Sequence, residues 1–178
     1  MSDMGIAYHE ALLRMVDEDD ATHLIAPAAF VLHAERSGKI RQIDRWVFET
    51  CIGMLARSRA SVRIAVNLSP RSLDDAGFVG FLRDALHRYD VDPRRLHIEL
   101  TETAAMGDLI AARPMIAALR SVGCAVHLDD FGSGFSSFAH LKLLEVDGIK
   151  IDGNFVRDIT SDPSNRLVVS SLIEIARS

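Results

Sequence analysis

The residues able to do chemistry in this chain are Glu10, Asn67, Glu99, Asp129, Asp130 and Lys150, with Glu102 close to Glu99. Carboxylates and an amide oxygen, without a histidine–cysteine cluster at zinc-ligand spacing, suit a hard cation. Mg²⁺ or Mn²⁺ is the expectation, and Ca²⁺ competes for the same oxygens. Two such ions bridged by a carboxylate can activate a water and stabilise both oxygens of an in-line displacement at phosphorus. A lysine beside that water helps to orient and deprotonate it. Hydrolysis of a phosphodiester fits this set best.

Each residue also has an ordinary reading. Asp129 and Asp130 can cap a helix or solvate a turn, and Asn67 before Leu-Ser-Pro can form one. Glu102 can open a helix or join a capping arrangement with Thr101 or Thr103. Lys150 can be a surface lysine, although alternation points it away from Ile149 and Ile151. Arg14 can reach a phosphate or pair with Asp17. His97 and His127 stand two residues before candidate ligands and are expected as packed fillers. The Gly132-Ser133-Gly134 run signals a mobile loop more strongly than a phosphate cradle.

The elements that must position these residues alternate strand and helix. Strands are expected at Gly5–Met15, Ser61–Asn67, Leu96–Leu100, Ala125–Asp129 and Gly148–Ile151, each ending near a candidate residue. The acidic run 17–20 reads as a solvated loop. Helices are expected from Pro27 to Gly38, through Ile43, Val47, Cys51, Met54 and Leu55 with Trp46 flanking, and over Phe78–Tyr89. Two more are expected, over Ile110–Val122 closed by Gly123, and over Asn165–Arg177 with Val168, Val169, Leu172, Ile173 and Ile175 as its apolar residues. Such alternation predicts parallel strands joined by right-handed crossovers. No GxGxxG follows the first strand, and polar residues at several strand ends favour a (β/α) barrel over an open sheet. Only about five of the eight βα units of a closed barrel are present.

The 178 residues are 48% hydrophobic, enough for one domain with a sizeable core. A net charge of −5 argues against sequence-independent binding to a nucleic-acid polymer. No stretch is apolar enough to predict a membrane span, and the N-terminus shows no signal-peptide pattern. Cys51 and Cys124 in apolar surroundings suit a reducing cytoplasm.

At these residues the chain resembles the EAL-domain family of cyclic di-GMP phosphodiesterases. The motifs are Glu10-Ala11-Leu12 within EALLR, the following PAAFVLHAERSG, VNLSP at 66–70, ELTET at 99–103, DDFGSG at 129–134 and KID at 150–152. The resemblance implies a TIM-like barrel that linearises cyclic di-GMP to pGpG with two Mg²⁺ or Mn²⁺ ions. By motif, Glu10, Asn67, Glu99 and Asp129 resemble metal ligands, and Asp130 a ligand of the second ion. Lys150 resembles the lysine that contacts the catalytic water. Glu102 resembles the residue that steadies the loop Phe131–Ser137, which in the family couples metal binding to dimerisation and so implies a homodimer. Leu12 and Arg14 resemble contacts to the base and to the phosphate. Compared with the family pattern, a first Gln-Pro-Ile strand and later strands with an EGVE-type glutamate and a Gln-Gly segment are not in the sequence. The expectation is therefore a partial EAL domain over 1–178 with slow turnover, or a catalytically silent remnant that binds cyclic di-GMP or a protein partner.

Overall fold

In the computed structural model, residues 8–20, 22–132, 141 and 143–176 are described. Strands β1 (His9–Ala11), β4 (Ile64–Asn67), β5 (Leu96–Thr101), β6 (Ala125–Phe131) and β7 (Gly148–Ile151) form one sheet in that order. Every neighbouring pair is parallel. A short hairpin of β2 (Met15–Val16) and β3 (Leu24–Ile25) lies apart from it. Among the described residues, α1 (Val31–Arg36), α2 (Ile40–Arg57), α3 (Phe78–Arg88), α4 (Glu102–Gly107) and α5 (Leu109–Val122) lie between strands, and α6 (Gly153–Arg157) and α7 (Pro163–Ala176) follow β7. This is the incomplete α/β barrel expected from the strand–helix alternation.

Period-2 alternation assigns the two faces of the sheet. Ile64, Val66, Leu96, Ile98, Leu100, Val126 and Leu128 point to one face and join the core with Phe48, Ile52 and Leu55 of α2, Leu82 of α3 and Ile116 and Leu119 of α5. Those core residues recur at helical spacing, so each helix buries one stripe against the sheet. The opposite face carries Tyr8, Glu10, Asn67, His97, Glu99, His127, Asp129 and Lys150 in the same alternation. The candidate strand residues other than Asp130 therefore gather on one side of a sheet whose other side, over β4, β5 and β6, packs against the helices.

Several expectations are corrected. The described part of Gly5–Met15 is not one strand: the ladder ends at Ala11, and Met15–Val16 turns into the hairpin. The acidic run forms its connection, where Asp17 and Asp20 accept from the amides of Asp19 and Thr22. Asp17 also takes His23 at 3.0 Å, while Arg14 donates to the Leu13 carbonyl instead of reaching Asp17. Pro27 opens a 3₁₀ turn before α1, because its ring presets the backbone but α1 nucleates only at Val31. Strand β4 starts at Ile64, since a turn from Arg59 to Val62 occupies the residues before it. Trp46, Met54 and Ile173 face outward at 62%, 51% and 40% exposure, beyond the narrow buried stripes of their helices. The ordinary reading of Glu102 as a helix start capped by Thr101 holds in α4, whereas the short helix α6, capped by Asp152, was not foreseen.

Candidate functional site

The C-terminal ends of the parallel strands deliver the candidate residues to one place. Oxygens of Glu10, Glu99 and Asp129 lie within 4.8 Å of one another. Lys150 reaches into the group from β7, with Nζ 2.9 Å from Glu99 Oε2, 3.1 Å from Asp129 Oδ2 and 3.3 Å from Glu10 Oε2. Asn67 donates from Nδ2 to Glu10 Oε1 at 2.9 Å. Register explains the meeting. Asn67 pairs with Glu99 across β4 and β5, and Thr101 pairs with Asp129 across β5 and β6.

The electrostatics follow from burial. Glu99 is fully buried, its Oε1 makes no hydrogen bond, and burial pushes its carboxyl above the ordinary range. The Lys150 ammonium pulls it back, and the charges of Glu10 and Asp129 push it up again. Burial opposes the charge on Lys150, but hydrogen bonds to Glu99 and Asp129 outweigh it and hold the ammonium above the usual lysine value, which corrects the expectation that it deprotonates a water: it can only orient one by donating. Three carboxylates facing one lysine leave an excess of negative charge. A buried carboxylate oxygen without a partner and two more carboxylates within ion-sharing distance fit a divalent cation of the hard class.

Asp130 follows this group at the strand exit, with φ at +55° and its amide donating to Asp129 Oδ1. Burial raises its carboxyl, and the neighbouring charges of Asp129 and Asp152 raise it further. Glu102 is buried on α4 and accepts from the Gly132 amide at 2.7 Å, which ties β5 to the segment leaving β6. Residues 133–137 of the expected loop lie outside the described residues. Leu12 is exposed and lines a cavity of about 430 Å³ with Leu13, Pro27, Val31, Val66 and Asn67. Arg14 is exposed nearby in sequence, outside the carboxylate group.

Below the carboxylates the rings of Tyr8, His97 and His127 pack together, with centroids 4.9–5.5 Å apart. Burial pushes His97 down to about 4 and lowers His127 as well, so both are neutral fillers near pH 7, as expected. Tyr8 and Asp152 are contributors that sequence reasoning missed. Tyr8 had a signal, since it stands two residues before Glu10 as the histidines stand before Glu99 and Asp129. Asp152 also had a signal, as the last residue of the KID motif, but its side chain is accounted for locally by the α6 cap.

The EAL domain family matches residues 1–178. The chain is 38% identical to the cyclic di-GMP phosphodiesterase PdeF of Escherichia coli (strain K12), over 97% of its own length and 23% of the relative's. It is also 38% identical to the bifunctional diguanylate cyclase/cyclic di-GMP phosphodiesterase MucR of Pseudomonas aeruginosa, over 94% of this chain and 25% of that one. The chain thus spans about a quarter of the length of these curated relatives. The structure of the PaMucR phosphodiesterase in complex with c-di-GMP superposes with a TM-score of 0.86 at 36% identity, covering 97% of this chain and 71% of that one. The FimX EAL domain of Pseudomonas aeruginosa bound to c-di-GMP gives 0.87 at 31% identity, covering 96% and 69%. No helix among the described residues is long and apolar enough to cross a membrane.

Proposed function

Because the chain belongs to the EAL domain family, we propose that it acts on cyclic di-GMP, hydrolysing one phosphodiester to give linear pGpG in bacterial second-messenger signalling. The observation that carries this reading is the convergence of Glu10, Glu99 and Asp129 on Lys150 at the strand ends. The same substrate class is named for two of the relatives and for the two superposed structures.

Glu10, Asn67, Glu99 and Asp129 would hold one Mg²⁺ or Mn²⁺, with Asp130 facing a second. When bound, such ions polarise the phosphoryl oxygens and lower the pKa of a water. The chain's own residues supply the rest. Lys150, kept as an ammonium by its carboxylate neighbours, donates hydrogen bonds to the attacking water and to charge building on the phosphate. The new bond joins the water oxygen to phosphorus while the bond from phosphorus to the opposite ester oxygen breaks; the water gives a proton to solvent, the leaving oxygen takes one from solvent, and the ring opens. Leu12 packs on a base beside its apolar cavity, and the Arg14 guanidinium forks onto a phosphate. Glu102 fixes the backbone at Gly132 and through it the segment after Asp129 and Asp130. The same reading includes a homodimer through that segment and a cytoplasmic location, which suits two buried free thiols.

The test is incubation of the chain with cyclic di-GMP and Mn²⁺, followed by chromatography for pGpG. Product that is lost in Glu10→Ala and Lys150→Ala supports hydrolysis at this site. Binding without product supports a silent binding module instead. Turnover that survives both substitutions overturns the assignment.

A further inference from the structure

Asp44 is a charged side chain sunk into the body of the protein, at 5% exposure, and no cation pairs with it among the described residues. It sits on α2 between Ile40 and Phe48, both buried. Its Oδ2 accepts from Ser69 Oγ at 2.5 Å, from Ser72 Oγ at 2.6 Å and from the Ser69 amide at 3.3 Å. Ser69 and Ser72 belong to the turn that leaves β4 directly after Asn67. Two flanking arginines of α2 grip the same turn: Arg41 donates to the Arg71 carbonyl at 2.8 Å and pairs with Asp74, and Arg45 pairs with Asp75. On the strand side, the Leu68 amide donates to the Glu99 carbonyl at 2.9 Å. Asn67 is thus held between a ladder bond and a clamp, with its amide 2.9 Å from Glu10.

A buried carboxylate answered only by neutral donors is costly, and burial pushes the Asp44 carboxyl above its ordinary range. An apolar residue of similar size would serve packing alone better. We infer that Asp44 is a positioning residue: by gripping Ser69 and Ser72 it sets the turn that keeps the Asn67 amide on Glu10 and at the carboxylate group. Its consequence for ion binding rests on the function proposed above, whereas its effect on Asn67 does not.

The experiment is therefore run first on the chain without added metal, reading the order parameter of the Asn67 side-chain amide by ¹⁵N relaxation. Asp44→Ala is expected to drop it below about 0.6, the flexible range. Ser69→Ala/Ser72→Ala does the same from the other side and carries the test if Asp44→Ala fails to fold. Asp44→Asn keeps an acceptor oxygen and restores the wild-type value. Leu82→Ala, a core truncation on α3, lowers stability without moving it. The second readout is Mn²⁺ affinity, which Asp44→Ala should weaken by about 10- to 100-fold, as for residues that orient ligands. Combined with Asn67→Ala, Asp44→Ala should cost nothing further. An Asn67 amide that responds to Asp44→Ala no more than to Leu82→Ala overturns the inference, as do additive losses in the double variant. If Asn67 responds as described while the wild-type chain binds no Mn²⁺, the positioning role stands and the ion-binding reading falls.

Discussion

Replacing Lys150 by methionine keeps the apolar stem and removes the cation that Glu10, Glu99 and Asp129 share. At an effective dielectric of about 20, each contact near 3 Å is worth about 5 kcal/mol before desolvation. Removing one partner of a fully buried pair costs about 3–5 kcal/mol, because the other charge is left uncompensated. Glu99 is fully buried, but side chains of Lys150, Glu10 and Asp129 are 27%, 32% and 18% exposed. Water reaches part of the group, and Glu99 can recover some of the loss by taking up a proton. The net cost is therefore set at about 2–3 kcal/mol. For a chain of this size that lowers Tm by about 5–10 °C. The assay is thermal unfolding followed by circular dichroism near pH 7, in EDTA and again with Mn²⁺. In EDTA the variant should melt earlier than wild type. With Mn²⁺ it should gain more than wild type, because an ion no longer competes with the ammonium for the same three carboxylates. A variant as stable as wild type in EDTA, or one that Mn²⁺ stabilises less, would refute the idea that Lys150 is their counter-ion.

Three further outcomes follow from other parts of the fold. Asp44 has a folded-state carboxyl value raised by burial, so its protonated form supports the fold at low pH and that support is lost as pH rises through the folded value. Asp44→Asn should accordingly gain in Tm relative to wild type as pH climbs from about 4 to 7, and a flat difference across that range would count against the buried, cation-free environment. Gly123 closes α5 at φ +108°, with an added Cβ only 3.2 Å from Pro93 Cβ, so Gly123→Ala should cost about 1–3 kcal/mol in urea unfolding. An unchanged midpoint would show that the turn can relax. Burial pushes the Cys51 thiol up to about 11 and Cys124 up to about 12, so neither should react with a thiol-specific chromogenic disulfide at pH 8 until denaturant is added.

The family motifs and the alternation of strand and helix were legible before any coordinates. So was the side of the sheet on which Glu10, Asn67, Glu99, Asp129 and Lys150 would lie, because a strand sends alternate side chains to opposite faces. The buried position of Asp44 was missed, because the stripe expected on that helix began at Ile43 and Val47 and an aspartate beside it reads as solvated, whereas Asp44 falls in line with Ile40 and Phe48. Its purpose was not readable either, because Ser69 and Ser72 come 25 and 28 residues later and only packing of α2 against the turn after β4 brings them to it. The short helix α6 escaped for a related reason: a run of five residues carries too little periodicity to register, and its capping Asp152 also suits a turn, whereas the start of α4 was legible in Thr101 and Glu102. What tertiary structure alone decided is distance. Lys150 and Glu10 stand 140 positions apart, and nothing local to either specifies a 3.3 Å contact. Parallel pairing in a twisted sheet sets the stagger between successive strands, and that stagger converts five separate strand ends into one group of charges sharing a single ammonium.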